Sequence, residues 1–183
     1  DLGLTAAFPT SWKSLARKFI RDVTGVAGFR RYSAAMMSAW GDEDSIFKSF
    51  TRFITKLKGF FITNLAIFGI LFYFGYGWLY LFLWWVPMLT FFSLFYRIRS
   101  ITEHSGLKGS DDFTFTRTTI VPWYLRYFLA PLNVNYHIEH HLFTFCPWYN
   151  LPKAHRFLAR KGFISEMEIS KGYLPVLRKI LAN

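Results

Sequence analysis

The sequence predicts an all-α integral membrane protein: one transmembrane helical hairpin with cytoplasmic and interfacial helices around it. Three observations predict this. No charged residue occurs between Gly59 and Tyr96, a run of 38 positions, and one helical crossing needs about 20 apolar residues. The 183-residue chain is 52% hydrophobic and 21% aromatic, more large apolar surface than a water-soluble domain of this size carries. The run is also flanked at both ends by cations. A buried helical pair of a soluble protein is the alternative, and uncharged runs of this length disfavour it.

The elements follow in chain order. In "PTSWKSLARKFIRDVTG", Trp12, Leu15, Phe19 and Val23 share one helical face, and Lys13, Arg17 and Arg21 lie around the other. Ser11 suits the start and Gly25 the stop of this helix. A basic amphipathic helix beside a membrane hairpin suits the cytoplasmic leaflet, although an ordinary surface helix has the same pattern. The first crossing is predicted at about residues 53–74 and the second at about 78–96, with the turn at Gly75-Tyr76-Gly77. Pro87 falls inside the second crossing, where lipid-embedded helices tolerate a kink. Tyr73, Tyr76, Trp78 and Tyr80 suit a membrane–water interface. Lys48, Arg52, Lys56 and Lys58 stand at the start of the first crossing, and Arg97 and Arg99 follow the second. The positive-inside rule then puts both ends in the cytoplasm, as a multi-pass membrane protein. A polar loop, "EHSGLKGSDDFTFTRT", precedes "TIVPWYLRYFLAPL", which is too short to cross and reads as re-entrant or interfacial. Two short helices, separated near Lys161-Gly162, are predicted for the C-terminal part from Pro152 onward.

The formal net charge is +11, from 22 Lys and Arg against 11 Asp and Glu. With apolar content this high, that balance points to anionic membrane surface or an acidic partner rather than to nucleic acid. The single cysteine, Cys146, cannot form an intramolecular disulfide and is read as a packed thiol.

Three of the five histidines fall within "HIEHH". On a helix His137, His140 and His141, at i, i+3 and i+4, share a face, so their imidazoles can converge as metal ligands must. Neutral imidazole suits iron, copper and zinc and is a poor ligand for magnesium or calcium. His104 follows the second crossing and is placed by topology on the cytoplasmic side. If the segment before His137 does not cross, all four histidines gather at one bilayer face. A solvated polar turn is the plainer account of the cluster, and a hydrogen-bonded side chain the plainer account of His104. His155, near the start of a predicted helix, is read either as structural or as a side chain that supports a metal ligand without binding the metal itself. Spacing does not separate zinc from iron. Glu139 suits a general base in a zinc hydrolase, whereas oxygen-activating iron needs open positions and more ligands.

The run "NYHIEHHLF…PWYNLPKAH" resembles the last histidine box of membrane fatty acid desaturases, the His-x-x-His-His type. Upstream, "RIRSITEHSG" is similar to the segment after their second hairpin, whose histidine is a further iron ligand. "TRTT", "APLNVNYH" and the opening "DLGLTAAFP" also fit, so the resemblance covers nearly the whole chain as a single desaturase domain, 1–183. It implies an oxidoreductase with two irons that uses O2 and two electrons to place a double bond in an acyl chain. Ferredoxin, rubredoxin or a cytochrome b5-type protein would supply the electrons. His104, His137, His140 and His141 would be iron ligands. Ser100 stands where relatives often have an asparagine able to reach iron through water, and serine holds such a water more weakly. Thr144 stands where proline is frequent. Glu103 and Glu139 would accept imidazole N–H groups and orient the rings, unless they are simply solvated.

The family's two earlier histidine boxes are missing from the sequence, and four histidines are too few for such a di-iron centre. The expectation is therefore a C-terminal portion of a longer enzyme, cut at Asp1, inactive alone and carrying two of four crossings. Hydroxylation or ketolation of alkanes or carotenoids, a zinc-dependent membrane hydrolase and a non-catalytic anchor are the competing readings.

Overall fold

The computed structural model describes residues 10–42, 44–107, 111 and 113–181. The opening "DLGLTAAFP" and part of the loop after His104 lie outside the described residues. The chain is mostly helical and divides into two compact units, one of Lys18–Leu94 and one joining the N-terminal residues to Phe95–Asn183.

Helix α1 is Trp12–Val23. Ser11 caps it, its Oγ accepting the Ser14 N–H at 3.2 Å, and Gly25 follows in the left-handed conformation. Leu15 and Asp22 are buried, whereas Trp12 and Val23 stand exposed.

The unit Lys18–Leu94 holds α2 (Val26–Trp40), α3 (Ile46–Tyr73) and α4 (Val86–Leu89), the last preceded by a widened turn at Leu81–Trp85. Helix α2 had no counterpart in the predicted elements. Its Gly28 is required by close approach: a Cβ there would lie 2.1 Å from the Leu89 carbonyl oxygen. Helix α3 begins seven residues before the predicted crossing. Lys48, Arg52 and Lys56 are good helix formers, and they carry the helix ahead of its apolar part. Gly75, with φ of 78°, makes the predicted turn. In the following helix Pro87 lacks an N–H and its ring would crowd the Leu83 carbonyl. The widened turn just before it absorbs the clash, with the Val86 N–H reaching back to the Leu81 carbonyl. A second break comes at Thr90, whose Oγ1 donates to the Val86 carbonyl at 2.7 Å.

Asn64 joins the two apolar helices. Its Oδ1 accepts from Tyr80 Oη at 2.6 Å and from Trp84 Nε1 at 3.1 Å, and its Nδ2 donates to the Phe60 carbonyl. Phe68 packs edge-on to Tyr80 and Phe60 to Trp85. Asn64→Leu would leave a hydroxyl and an indole N–H unpaired, so a loss of about 1–2 kcal/mol is expected in an unfolding titration in mixed micelles. An unchanged midpoint would show that the bonds are replaced from elsewhere.

Ile46–Tyr73 and Leu81–His104 are long and apolar enough to cross a membrane. In their most apolar windows 0% and 11% of residues are buried, unlike the core helix of a water-soluble protein. The second runs eight residues past its predicted end, because the stretch after Tyr96 is helix-forming and carries an Arg99–Glu103 pair at 3.0 Å.

The other unit holds α5 (Phe91–His104) from Phe95 onward, β1 (Thr118–Ile120), α6 (Trp123–Leu129), α7 (His137–Leu142), α8 (Leu151–Arg160), β2 (Ile169–Lys171) and α9 (Tyr173–Leu181). The strands pair in parallel, Thr118 with Ile169 and Ile120 with Lys171. This pair was not predicted, since three residues carry no readable alternation. The stretch read as interfacial or re-entrant is thus a strand followed by a seven-residue helix. The two C-terminal helices are where they were predicted. Val121, Ala130 and Tyr173 make one core cluster, and Ile138, Leu158 and Met167 another. Together they seat α7 against α8 and the strand pair.

Candidate metal centre

Two segments far apart in sequence supply the site. His104 is the last residue of α5. His137 and His141 lie one turn apart on α7. His137 Nε2 lies 3.0 Å from His104 Nε2 and 3.1 Å from His141 Nε2, and a ligand atom from each of the three falls within 4.8 Å of the others. Phe115 packs edge-on to His141.

Three ring nitrogens this close compete for shared protons, so neutral imidazoles leave lone pairs facing one another. A cation at their focus resolves that conflict, and the donor set therefore fits a metal ion. For metal–nitrogen bonds of about 2.1 Å, ligands at right angles are about 3.0 Å apart and tetrahedral ligands about 3.4 Å. The two short separations match the right-angle spacing.

Burial first, then the neighbouring His104, His141 and His140 rings and Arg99, push the pKa of His137 down to about 2. The ring stays neutral at physiological pH and its lone pair is available. The unfolded chain takes up a proton near pH 6.5 that the folded chain refuses. This group therefore has no effect on folding above about pH 6.5 and progressively opposes it as pH falls below. Thermal melts of the metal-free chain in detergent are expected to drop between pH 7 and pH 5, with His137 contributing up to about 1.4 kcal/mol per pH unit. His137→Ala should flatten that slope, and an equally steep slope in the variant would refute the assignment.

His140 shares the helix but not the cluster. It is exposed, and its ring nitrogens are not among the converging ligand atoms of His104, His137 and His141. On a helix of six residues i, i+3 and i+4 do not converge equally, and here the i, i+4 pair meets His104. Ser100 is buried one turn before His104. Glu103 Oε2 is 3.8 Å from His137 Nδ1, beyond a direct hydrogen bond, and the carboxylate pairs with Arg99. Glu139 does not orient His137, His140 or His141. It is fully buried, accepts from Thr118 Oγ1 at 2.6 Å, and its other oxygen contacts His155 Nδ1. His155, on α8, lies against α7 through this contact. Cys146 is half-buried along an open groove rather than packed inside.

The residues that fix α5 and α7 relative to each other went unassigned in the sequence. Thr118 Oγ1 donates to Glu139 and accepts the Ile138 N–H at 3.2 Å, tying β1 to the start of α7. Asn135 Nδ2 donates to the Thr119 carbonyl at 3.0 Å. Arg117 is buried, and its guanidinium donates to the carbonyls of Thr102 and Ser105 at 2.8 and 3.2 Å, closing the end of α5 that carries His104. Burial lowers the pKa of that guanidinium, and the Glu168 carboxylate 3.9 Å away opposes the shift. "TRTT" was noted only as part of the resemblance. An arginine set among threonines after a polar loop was the available signal.

No curated protein and no solved structure matches the chain. The family model described as fatty acid desaturase matches residues 1–164. That span contains His104, the whole of α7 and His155, so the converging imidazoles and the match lie in the same stretch, and the chain belongs to the fatty acid desaturase family.

Proposed function

We propose that this chain carries part of the iron centre of a membrane-bound desaturase that introduces a double bond into an acyl chain. In the overall reaction O2, two electrons and two protons remove two hydrogens from adjacent carbons, giving a carbon–carbon double bond and two waters. The observation that carries the reading is the meeting of His104 Nε2 with His137 and His141 Nε2 from two distant segments. Bound iron would supply the oxidising power needed to break an unactivated C–H bond, which side chains lack.

The chain's own residues hold and orient. His104, His137 and His141 would bind one ion. His140 is the remaining ligand candidate for a second, whose further ligands lie outside the described cluster. Arg117 keeps the end of α5, and hence His104, in place. Thr118, Glu139 and His155 do the same for α7. Phe115 covers one side of the cluster. The two apolar helices are proposed to cross the bilayer as a hairpin with both ends in the cytoplasm, which puts the metal there. The basic surface would receive an acidic electron donor of the ferredoxin, rubredoxin or cytochrome b5 kind.

A zinc-dependent hydrolase fits less well. Its general base would be Glu139, but both oxygens of that carboxylate are engaged in a dry interior. Hydroxylation or ketolation remains the nearest rival, since it uses the same oxidant.

Expression of the full natural protein in a host lacking such activity, with mass spectrometry of the acyl lipids, is expected to show new unsaturation that needs oxygen. Hydroxylated products would move the assignment to the rival. Activity that persists without oxygen, with zinc in the purified protein, would overturn the proposal. The 183-residue chain itself is expected to retain no more than about one iron, matching its three-nitrogen cluster.

A further inference from the structure

Helix α6 carries a cation the metal centre does not use. Arg126 Nε is buried without a hydrogen-bond partner, and the guanidinium has no ion pair among the described residues. Arg126 lines an open pocket of about 440 Å³, walled by Trp123, Tyr127, Leu132, Asn133 and Trp148. Trp123 is 72% exposed and Tyr127 74%, so large rings face outward around a charge. Asn133 Nδ2 donates to the Trp148 carbonyl at 3.3 Å and ties two walls together. Leu132 and Asn133 both hold positive φ, 57° and 55°. Consecutive non-glycine residues in that region cost on the order of 1–3 kcal/mol each, and such strain concentrates at ligand clamps.

A guanidinium with no ion pair among the described residues and an unbonded Nε suits an anion, and its fork matches phosphate oxygens best. Exposed tryptophan and tyrosine favour the depth at which lipid headgroups meet acyl chains. Few ligands other than a lipid present an anion beside apolar chain. We propose that this pocket binds the phosphate headgroup of an anionic phospholipid. The guanidinium holds the phosphate while Trp123, Tyr127 and Trp148 flank the glycerol and the first methylenes. The inference rests on the membrane reading above.

The test uses the full chain in neutral detergent, titrated with short-chain phosphatidylglycerol and, separately, with short-chain phosphatidylcholine and inorganic phosphate. Saturable binding of phosphatidylglycerol is expected, at least about tenfold tighter than either of the others. Arg126→Gln should weaken it by at least about tenfold, and Trp148→Leu several-fold. Arg160→Gln, which removes one exposed cation elsewhere, should change it less than about twofold. If the Gln variant loses its fold, Arg126→Lys takes its place. It keeps the charge but not the fork, so several-fold weaker binding is expected. Equal losses in the Arg126 and Arg160 variants, displacement by inorganic phosphate at matching concentration, unchanged binding by Arg126→Lys, or no preference for phosphatidylglycerol would each overturn the proposal. Insertion into phosphatidylcholine vesicles is measured separately by resistance to alkaline extraction. A chain that fails to insert refutes the membrane reading, whereas an inserted chain indifferent to phosphatidylglycerol refutes the pocket alone.

Discussion

His137→Ala is expected to lower iron affinity by more than about a hundredfold and to abolish desaturation in the intact enzyme. His137 is the middle member of the cluster, its Nε2 in contact with the Nε2 atoms of both His104 and His141. Its removal separates the other two rings, whose centres are 6.0 Å apart. Changing residues that only orient a ligand costs about 10–100-fold in metal affinity, so losing the central ligand should cost more. Metal analysis of the purified variant after dialysis reads the effect directly. His140→Ala provides the contrast. Its exposed ring lies outside the three-nitrogen cluster, so this first ion should bind nearly as in the unaltered chain. Equal losses in the two variants would place the metal away from the observed focus.

Glu139→Ala is expected to give the largest loss of stability in the chain, about 2–4 kcal/mol. The carboxylate is fully buried between Thr118 and His155. Its removal leaves a hydroxyl and an imidazole without their partner and takes away the link between β1, α7 and α8. Removing one partner of a buried hydrogen bond leaves the other group with the cost of its lost partner. Glu139→Gln keeps the shape and one acceptor and should cost less. His155→Ala combined with Glu139→Gln should cost less than the sum of the two, because the partners are already separated. Unfolding midpoints in detergent for the four proteins give the coupling. Strict additivity would mean that the contact contributes nothing and that Glu139 is held by other groups. Metal affinity should fall along with stability, since α7 carries two of the three nitrogens.

The shared face of His137 and His141 was legible because spacing on a helix is a local property. His137 and His141 face one way for the same reason that any i, i+4 pair does. The two apolar helices were equally legible, since the lack of charge over a long run needs no knowledge of neighbours. Their ends were not. Charged helix formers extended α3 backward to Ile46 and α5 forward to His104, and nothing in composition marks where such a helix stops. Helix α2 was missed because its apolar and small residues form no clear stripe.

Sequence alone determined the family, the apolar helices and which side chains are able to bind metal, because each of these is written in residue type and short-range spacing. Tertiary structure alone decided which of them meet. It brought His104 across 33 positions to His137, left His140 outside, and turned Glu139 from a presumed ring-orienting or basic group into an anchor for His155. It also placed Arg117 and Thr118 as the braces of the site and left Arg126 Nε without a hydrogen-bond partner among the described residues, beside an aromatic pocket. The physical reason is the same in each case. Ligand convergence, the pairing of a buried charge and the absence of a partner are properties of distance in space, and distance between segments is set by packing that no local pattern encodes.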